Sequence, residues 1–381
     1  MTTYKENTNE SKSSPKRAAK YLFCGAFKKP KNGTAGGVLY ACTSLLASNA
    51  AEEVKWRKVD SSQPLPPNPF PIRFLNAASR LAKSIWLILL NRVDATLIFT
   101  PFLTMSLLEK ISIGIVSGFV GKPTVLTFRS EVKPLAGAPM SFFVNLGLTY
   151  ATAIVCQSQE AALALREIFP GHEHKTHVIP NWIAPFENPR PKPATANSPI
   201  RVSFIGWLEP IKDVKTILRA FHRVEQQFCD WQLSICGDGS QKQELEELAT
   251  ELGIDSKIEF TGWIGPEQKC SILQDTDLFI MASLSEGMPN SIVEAMKYGI
   301  PIVATNVGGI PSLVEHEVNG YLAPAQDHKQ MASYLVDLMA NPETCSRISE
   351  ANIDKIAEEH NLEVAASKII ELLSLTTTGA T

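Results

Sequence analysis

Between residues 20 and 180, short runs rich in β-branched and aromatic residues alternate with longer helical patterns; the alternation stops at a proline-rich stretch and restarts at residue 201. The runs KYLFCGAF (20–27), EEVKWRKV (52–59), ATLIFT (95–100), PTVLTFR (123–129), TAIVCQS (152–158) and THVIP (176–180) read as strands, with helices centred near 38–48, 72–91, 104–118, 140–150 and 159–168. The second series runs RVSFIG (201–206), WQLSICG (231–237), KIEFTGW (257–263), DLFIMAS (277–283) and PIVAT (301–305), again with a helix between neighbours, and is mostly helical from about 327. Strands that alternate with helices build parallel sheets joined by crossovers. The stretch PFENPRPKPATANSP (185–199) has no apolar period and reads as a linker. The expectation is an α/β chain: a disordered basic tail over 1–18, a Rossmann-like domain over 19–184, the linker over 185–199, and a second Rossmann-like domain with C-terminal helices over 200–381. Two such sheets face one another across a cleft between the carboxyl ends of their strands, where ligands of such sheets bind.

At 381 residues and 44% hydrophobic, the chain can fill two cores of ordinary size. A net charge of -3 argues against a nucleic-acid partner. The charge is uneven, with eight basic and two acidic residues up to position 33, which makes a solvated tail or a membrane-surface segment. Seven scattered cysteines form no Cys-x-x-Cys pair, so neither a disulfide framework nor a zinc site is indicated, and a cytoplasmic protein is expected. The N-terminus carries no apolar leader, and runs such as IWLILL (85–90) fall short of the ~20 residues of a spanning helix.

The densest chemistry lies in SLSEGMPNSIVEAMKYGIPIV (283–303). Glu286 follows a strand, Gly287 lets the backbone approach a ligand, and Pro289 precedes a helix that starts at Asn290. The free amides of that helix start form an anion site, and Glu294 offers an acceptor to whatever carries the anion. Backbone amides for phosphate and carboxylates for hydroxyls suit a sugar nucleotide. Read by spacing alone, the two glutamates equally fit a surface loop and an exposed helix face.

The stretch EGMPNSIVE, then AMKYGIPIVATNVGGIPSLVE and NGYLAP, resembles the donor site of retaining glycosyltransferases of family four, the group 1 transferases with the GT-B fold; the likeness is close over 201–325 and looser over 19–180. By that resemblance Glu294 binds the nucleotide ribose, and Glu286 faces the donor sugar at the reacting centre. The backbone from Gly287 through Met288 and Asn290 to Ser291 holds sugar hydroxyls and the distal phosphate, while Trp263 and Ile264 of FTGWI hold the base. FIGWLEPIKDVKTIL (204–218) matches the phosphate stretch, with Gly206 and Trp207 at its start and Lys212 as the cation for the leaving diphosphate. Gly36 and Gly37 match the glycine loop that closes over the donor.

Three positions depart from the family pattern. Trp207 replaces an arginine, which leaves Lys215 or Arg129 as candidate second cations; Arg129 stands where relatives carry a donor-binding histidine; Trp182 replaces the glycine of a Pro-Asn-Gly segment, beside Asn181 at the hinge. The resemblance implies a nucleoside-diphosphate sugar as donor, a glycan or lipid-linked glycan as acceptor, surface polysaccharide or lipopolysaccharide assembly as the setting, and no essential metal or other cofactor. His172, His174 and His177 read as a surface loop rather than a metal site. The apolar helix over 70–92, with Arg73, Arg80 and Lys83 on one face, either packs on the sheet or makes peripheral contact with the inner face of a membrane. Other readings of the same residues are a sugar-nucleotide binder without turnover and an epimerase or phosphorylase on this fold.

Overall fold

The computed structural model describes residues 18–28, 37–62, 68–100, 104–129, 140–183 and 199–375. The basic tail, Gly36 and nearly all of the linker lie outside the described residues. The first series of elements is β1 (Lys20–Gly25), α1 (Gly37–Leu46), α2 (Asn49–Glu52), β2 (Lys55–Asp60), α3 (Phe70–Leu89), β3 (Ala95–Thr100), α4 (Thr104–Phe119), β4 (Thr124–Phe128), α5 (Ser141–Tyr150), β5 (Ala153–Cys156), α6 (Gln159–Ile168) and β6 (Thr176–Val178). Its strands form one parallel sheet in the order β2-β1-β3-β4-β5-β6. Every residue of β3, β4 and β5 is buried, the condition of central strands covered on both faces, and this is why they read as runs of apolar and β-branched residues, Thr96, Thr100, Thr124 and Thr127 included.

The second series is β7 (Ile200–Ile205), α7 (Val214–Val224), β8 (Trp231–Cys236), α8 (Lys242–Glu251), β9 (Ile258–Gly262), α9 (Pro266–Asp275), β10 (Leu278–Met281), α10 (Asn290–Lys297), β11 (Ile302–Thr305), α11 (Ile310–Leu313), β12 (Gly320–Ala323), α12 (His328–Ala340), α13 (Pro342–Glu359) and α14 (Leu362–Ser374). It forms a second parallel sheet, β12-β11-β10-β7-β8-β9. Helix α7 shows how sequence becomes packing: Val214, Ile217, Leu218, Phe221 and Val224 recur at helical spacing and are all fully buried against this sheet. The strand alternation of the sequence does not announce β12, an edge strand of four residues paired only with β11.

The last helix, which the sequence leaves with the second domain, packs on the first. Leu362, Ala366, Ile369 and Leu373 of α14 share a core with Leu97, Phe99 and Val125. The chain therefore crosses between domains twice, and the crossings are tied together. The Ile183 amide donates to the His360 carbonyl at 2.9 Å, and the Leu362 amide donates to the Ile183 carbonyl at 3.3 Å.

Each sheet reverses its direction of growth once. After β2 the chain returns past β1 to begin β3, and after β9 it returns past β7 to begin β10. Loops leaving two adjacent strands in opposite directions open a crevice at the carboxyl ends. In the second sheet those loops follow β7 and β10, and they carry Lys212 and Glu286.

Candidate active site

The two loops are cross-braced before any side chain meets. The Leu284 amide donates to the Ile211 carbonyl at 2.8 Å, which ties the loop after β10 to the short 3-10 turn Pro210–Lys212 after β7. Thr305 Oγ1 donates to the Ser283 carbonyl at 2.6 Å, and Ser283 Oγ donates to Glu286 Oε1 at 2.7 Å. On this frame Lys212 Nζ forms an ion pair with Glu286 Oε1, their side chains only 17% and 10% exposed. Asp213, left-handed at φ 43°, ends the turn and starts α7, so Lys212 leaves the backbone on the cleft side.

From below, the loop of Glu286 rests on Gly308 and Gly309. The Gly309 amide donates to the Glu286 carbonyl at 3.1 Å. A Cβ on Gly309 would overlap the carbonyl oxygen of Gly287, and one on Gly308 that of Glu286. Gly308 also sits at φ +53°, where a side chain is strained. Only glycines permit this stacking, so they are part of what places Glu286.

Helix α10 starts at Asn290 directly after Pro289 and buries Ile292, Val293, Ala295 and Met296, which turns its first-turn amides and Glu294 toward the crevice. Glu294 Oε1 accepts a hydrogen bond from Lys269 Nζ of α9 at 2.6 Å, an ion pair with side chains 22% and 31% exposed.

These groups line one cavity of about 510 Å³. Glu286, Lys212, Glu294, Met288, Asn290 and Ser291 form its floor, and Gly206, Trp207, Trp263 and Ile264 one wall. Gly37 enters from the first domain, near enough to Asn290 that a Cβ there would overlap the Asn290 amide group. Gly287 supports the loop without lining the cavity. The indoles of Trp207 and Trp263 lie 4.9 Å apart at 44°, so the residue that departs from the motif forms an aromatic wall with the residue expected beside the base.

Neither candidate second cation is in this cavity. Arg129 lies over the rings of Trp182, at 4.6 Å, and Phe99, at 5.4 Å, and its burial lowers the guanidinium to about 10, still charged at neutral pH. Lys215 pairs with Glu244 at 2.5 Å, outside the cavity. The basic residues that do line it beside Lys212 are Lys269 and Lys297, and burial lowers the pKa of Lys297. Neither is marked in the sequence, because their spacing belongs to ordinary helix faces. Tyr40, one turn after Gly37, and Tyr298, inside the quoted motif, also line the cavity without a sequence signal of their own, and Ser283 acts from behind it through its hydrogen bond to Glu286.

Asn181 joins the domains above this site. Its side-chain amide donates to the Met288 carbonyl at 2.9 Å and to Asn290 Oδ1 at 2.7 Å, and its own Oδ1 accepts from Gln157 Nε2 at 2.6 Å. His172 bonds to Asn145, away from the cavity. Among the described residues no three His, Cys, Asp or Glu side chains group as metal ligands would.

Residues 185–355 match the family model described as glycosyl transferases group 1. The amylovoran biosynthesis glycosyltransferase AmsK of Erwinia amylovora is 27% identical over 183 residues, 46% of this chain and 45% of that protein. The lipopolysaccharide core biosynthesis glycosyltransferase LpsE of Rhizobium meliloti is 25% identical over 179 residues, 47% of this chain and 51% of that protein. The chain thus spans about half the length of these curated relatives. Solved structures with the same fold include Anabaena HepE in complex with UDP and glucose (TM-score 0.71, 18% identity, 94% of this chain and 100% of that one). Sucrose-phosphate synthase of Thermosynechococcus elongatus is another (TM-score 0.72, 16% identity, 93% of this chain and 98% of that one). The two-sheet arrangement is the GT-B fold.

Proposed function

We propose, from the match of residues 185–355 to the glycosyl transferases group 1 model and from the GT-B fold, that this chain moves a sugar from a nucleoside-diphosphate sugar to an acceptor hydroxyl, with retention at the anomeric carbon. The observation that carries this reading is the single cavity in which Lys212, Glu286, Glu294 and the start of α10 converge, closed from the other domain by Gly37.

The geometry suits that chemistry in parts. Breaking the bond to the anomeric carbon puts negative charge on the departing diphosphate, and Lys212, braced and mostly buried, is a fixed cation of the kind that stabilises it. The α10 amides add the positive end of a helix dipole. Glu294 accepts from ribose hydroxyls, and Trp263 and Ile264 flank the base. Glu286 positions and electrostatically supports the donor sugar. The leaving phosphate takes the acceptor's proton on the face it vacates, so no protein base is assigned.

Both carboxylates hold lysines, Lys212 on Glu286 and Lys269 on Glu294. A donor brings phosphates for the ammoniums and hydroxyls for the carboxylates, so it exchanges these partners without stranding a buried charge. The names of AmsK and LpsE support surface polysaccharide or lipopolysaccharide assembly as the setting, and the acceptor we assign is a glycan or lipid-linked glycan.

The test is incubation with uridine, guanosine and adenosine diphosphate sugars. At least one should release nucleoside diphosphate, and NMR of the product should show the donor's anomeric configuration. Donor binding without release from any of them would favour a binder without turnover, the reading that Trp207 in place of the motif's arginine suggests.

A further inference from the structure

Helix α3 has two apolar faces and uses one. Its inner side buries Ser84 and Ile88, and Arg80 turns inward to Glu109 through hydrogen bonds of 2.7 and 2.6 Å, so Arg80 is not part of an outer basic face. Its outer side carries Leu75, Ala78, Ala82, Trp86 and Leu89, spaced by three or four residues along one stripe and all exposed. Leu75 is 67% exposed, Trp86 57% and Leu89 59%. Beyond the helix, Lys122 Nζ bonds Asn91 Oδ1 at 2.6 Å and the Val93 carbonyl at 2.7 Å, which adds a cation at the Leu89 end of the stripe. Apolar patches of this extent on a soluble surface mark a partner.

Charge identifies the partner. From 61 to 93 the chain contains Arg73, Arg80, Lys83 and Arg92 and no aspartate or glutamate. Arg80 is neutralised by Glu109 and Arg73, two turns earlier, shares its inner side, so the exposed charges beside the stripe are Lys83 and Arg92, both positive. A second copy of this face would bring like charges together, whereas anionic lipid headgroups supply the complement. An apolar stripe that carries a tryptophan, with lysine beside it and arginine at its end, is how a helix lies in a bilayer interface. No helix among the described residues is long and apolar enough to cross a membrane, so the contact lies in the plane.

We propose that the outer face of α3 docks on a bilayer containing anionic phospholipids. Helix α3 begins after the carboxyl end of β2, the end of the sheet that faces the cleft, so its Phe70 end stands at the cleft rim. Trp86 and Leu89 stand at the far end of the helix, so docking along the stripe holds the first domain on the lipid with the cleft rim at one edge of the contact, and the surface stands whether or not the cleft transfers sugar.

The test is co-sedimentation of the full chain with vesicles of phosphatidylcholine alone or with phosphatidylglycerol added. The chain should bind the anionic vesicles, and Leu75→Glu and Trp86→Glu should each weaken binding about tenfold. Lys83→Glu and added salt should weaken it less, by a few fold. All three variants should keep the wild-type circular dichroism spectrum, since each side chain lies on the surface. Failure of the wild type to bind anionic vesicles, or equal binding by Leu75→Glu and Trp86→Glu, overturns the proposal. So does a dimer in sedimentation equilibrium that Leu75→Glu dissociates.

Discussion

At the residue scale, the three departures from the motif turn out to be packed into aromatic contacts. Trp207 lies against Trp263 in the cavity wall, and Arg129 lies over Trp182, whose indole in turn donates to Ser44 Oγ at 2.9 Å. Two of the departures therefore form one contact, which a motif read position by position does not reveal, because residues 129 and 182 are distant in sequence. The carboxylates and Lys212 were legible, since loop, helix start and strand end each leave a local signature. Lys269 was not, since its pairing with Glu294 depends on how α9 lies beside α10. If Lys212 stabilises the departing diphosphate, Lys212→Ala should lower turnover about 100-fold or more while nucleoside diphosphate affinity falls far less. Equal losses in both would assign Lys212 to ground-state binding. Trp207→Ala should weaken donor binding about tenfold through the lost aromatic contact, as measured by calorimetric titration.

At the element scale, the site depends on loops stacked on loops. Gly308 and Gly309 leave β11 and carry the backbone of Glu286 and Gly287 from beneath. Gly309→Ala should displace that loop and lower turnover about 100-fold, while a thermal melt stays within a few degrees of wild type because the core under β11 is untouched. A large fall in melting temperature with activity per folded molecule preserved would contradict this. The alternation of strand and helix was readable along most of the chain because buried parallel strands are built almost wholly of apolar and β-branched residues. It failed at β12, which is short and at the edge, and it said nothing about α14, since an amphipathic helix does not carry the address of the sheet it will cover.

At the scale of the whole molecule, the domains are joined where the chain crosses twice, and His360 sits at that joint. Its Nδ1 is hydrogen-bonded to the Asn181 carbonyl, while its buried Nε2 has no partner among the described residues. A proton on Nε2 would be a buried donor with nothing to receive it, and burial lowers the pKa of His360 below the ordinary histidine value of 6.5 despite the opposing hydrogen bond. The folded protein thus excludes a proton that the unfolded chain binds. The stability this histidine allows is complete above pH 6.5 and is lost as pH falls below it, toward the lower folded-state value, with a limiting slope of about 1.4 kcal/mol per pH unit for one proton. Denaturant titrations between about pH 7.5 and 5 should show this slope. His360→Gln should reduce it without abolishing it, because burial also lowers the pKa of His172, His177 and His328.

The central claim is that the cavity between the sheets is built for a nucleoside-diphosphate sugar held at its ribose by Glu294. Calorimetric titration of wild type and Glu294→Ala with UDP, GDP and ADP tests it most directly. One nucleotide should bind the wild type, with affinity for the variant lower by about tenfold or more, the worth of hydrogen bonds to a charged acceptor. Equal affinity in the two proteins, or binding of none of the three, would contradict the account.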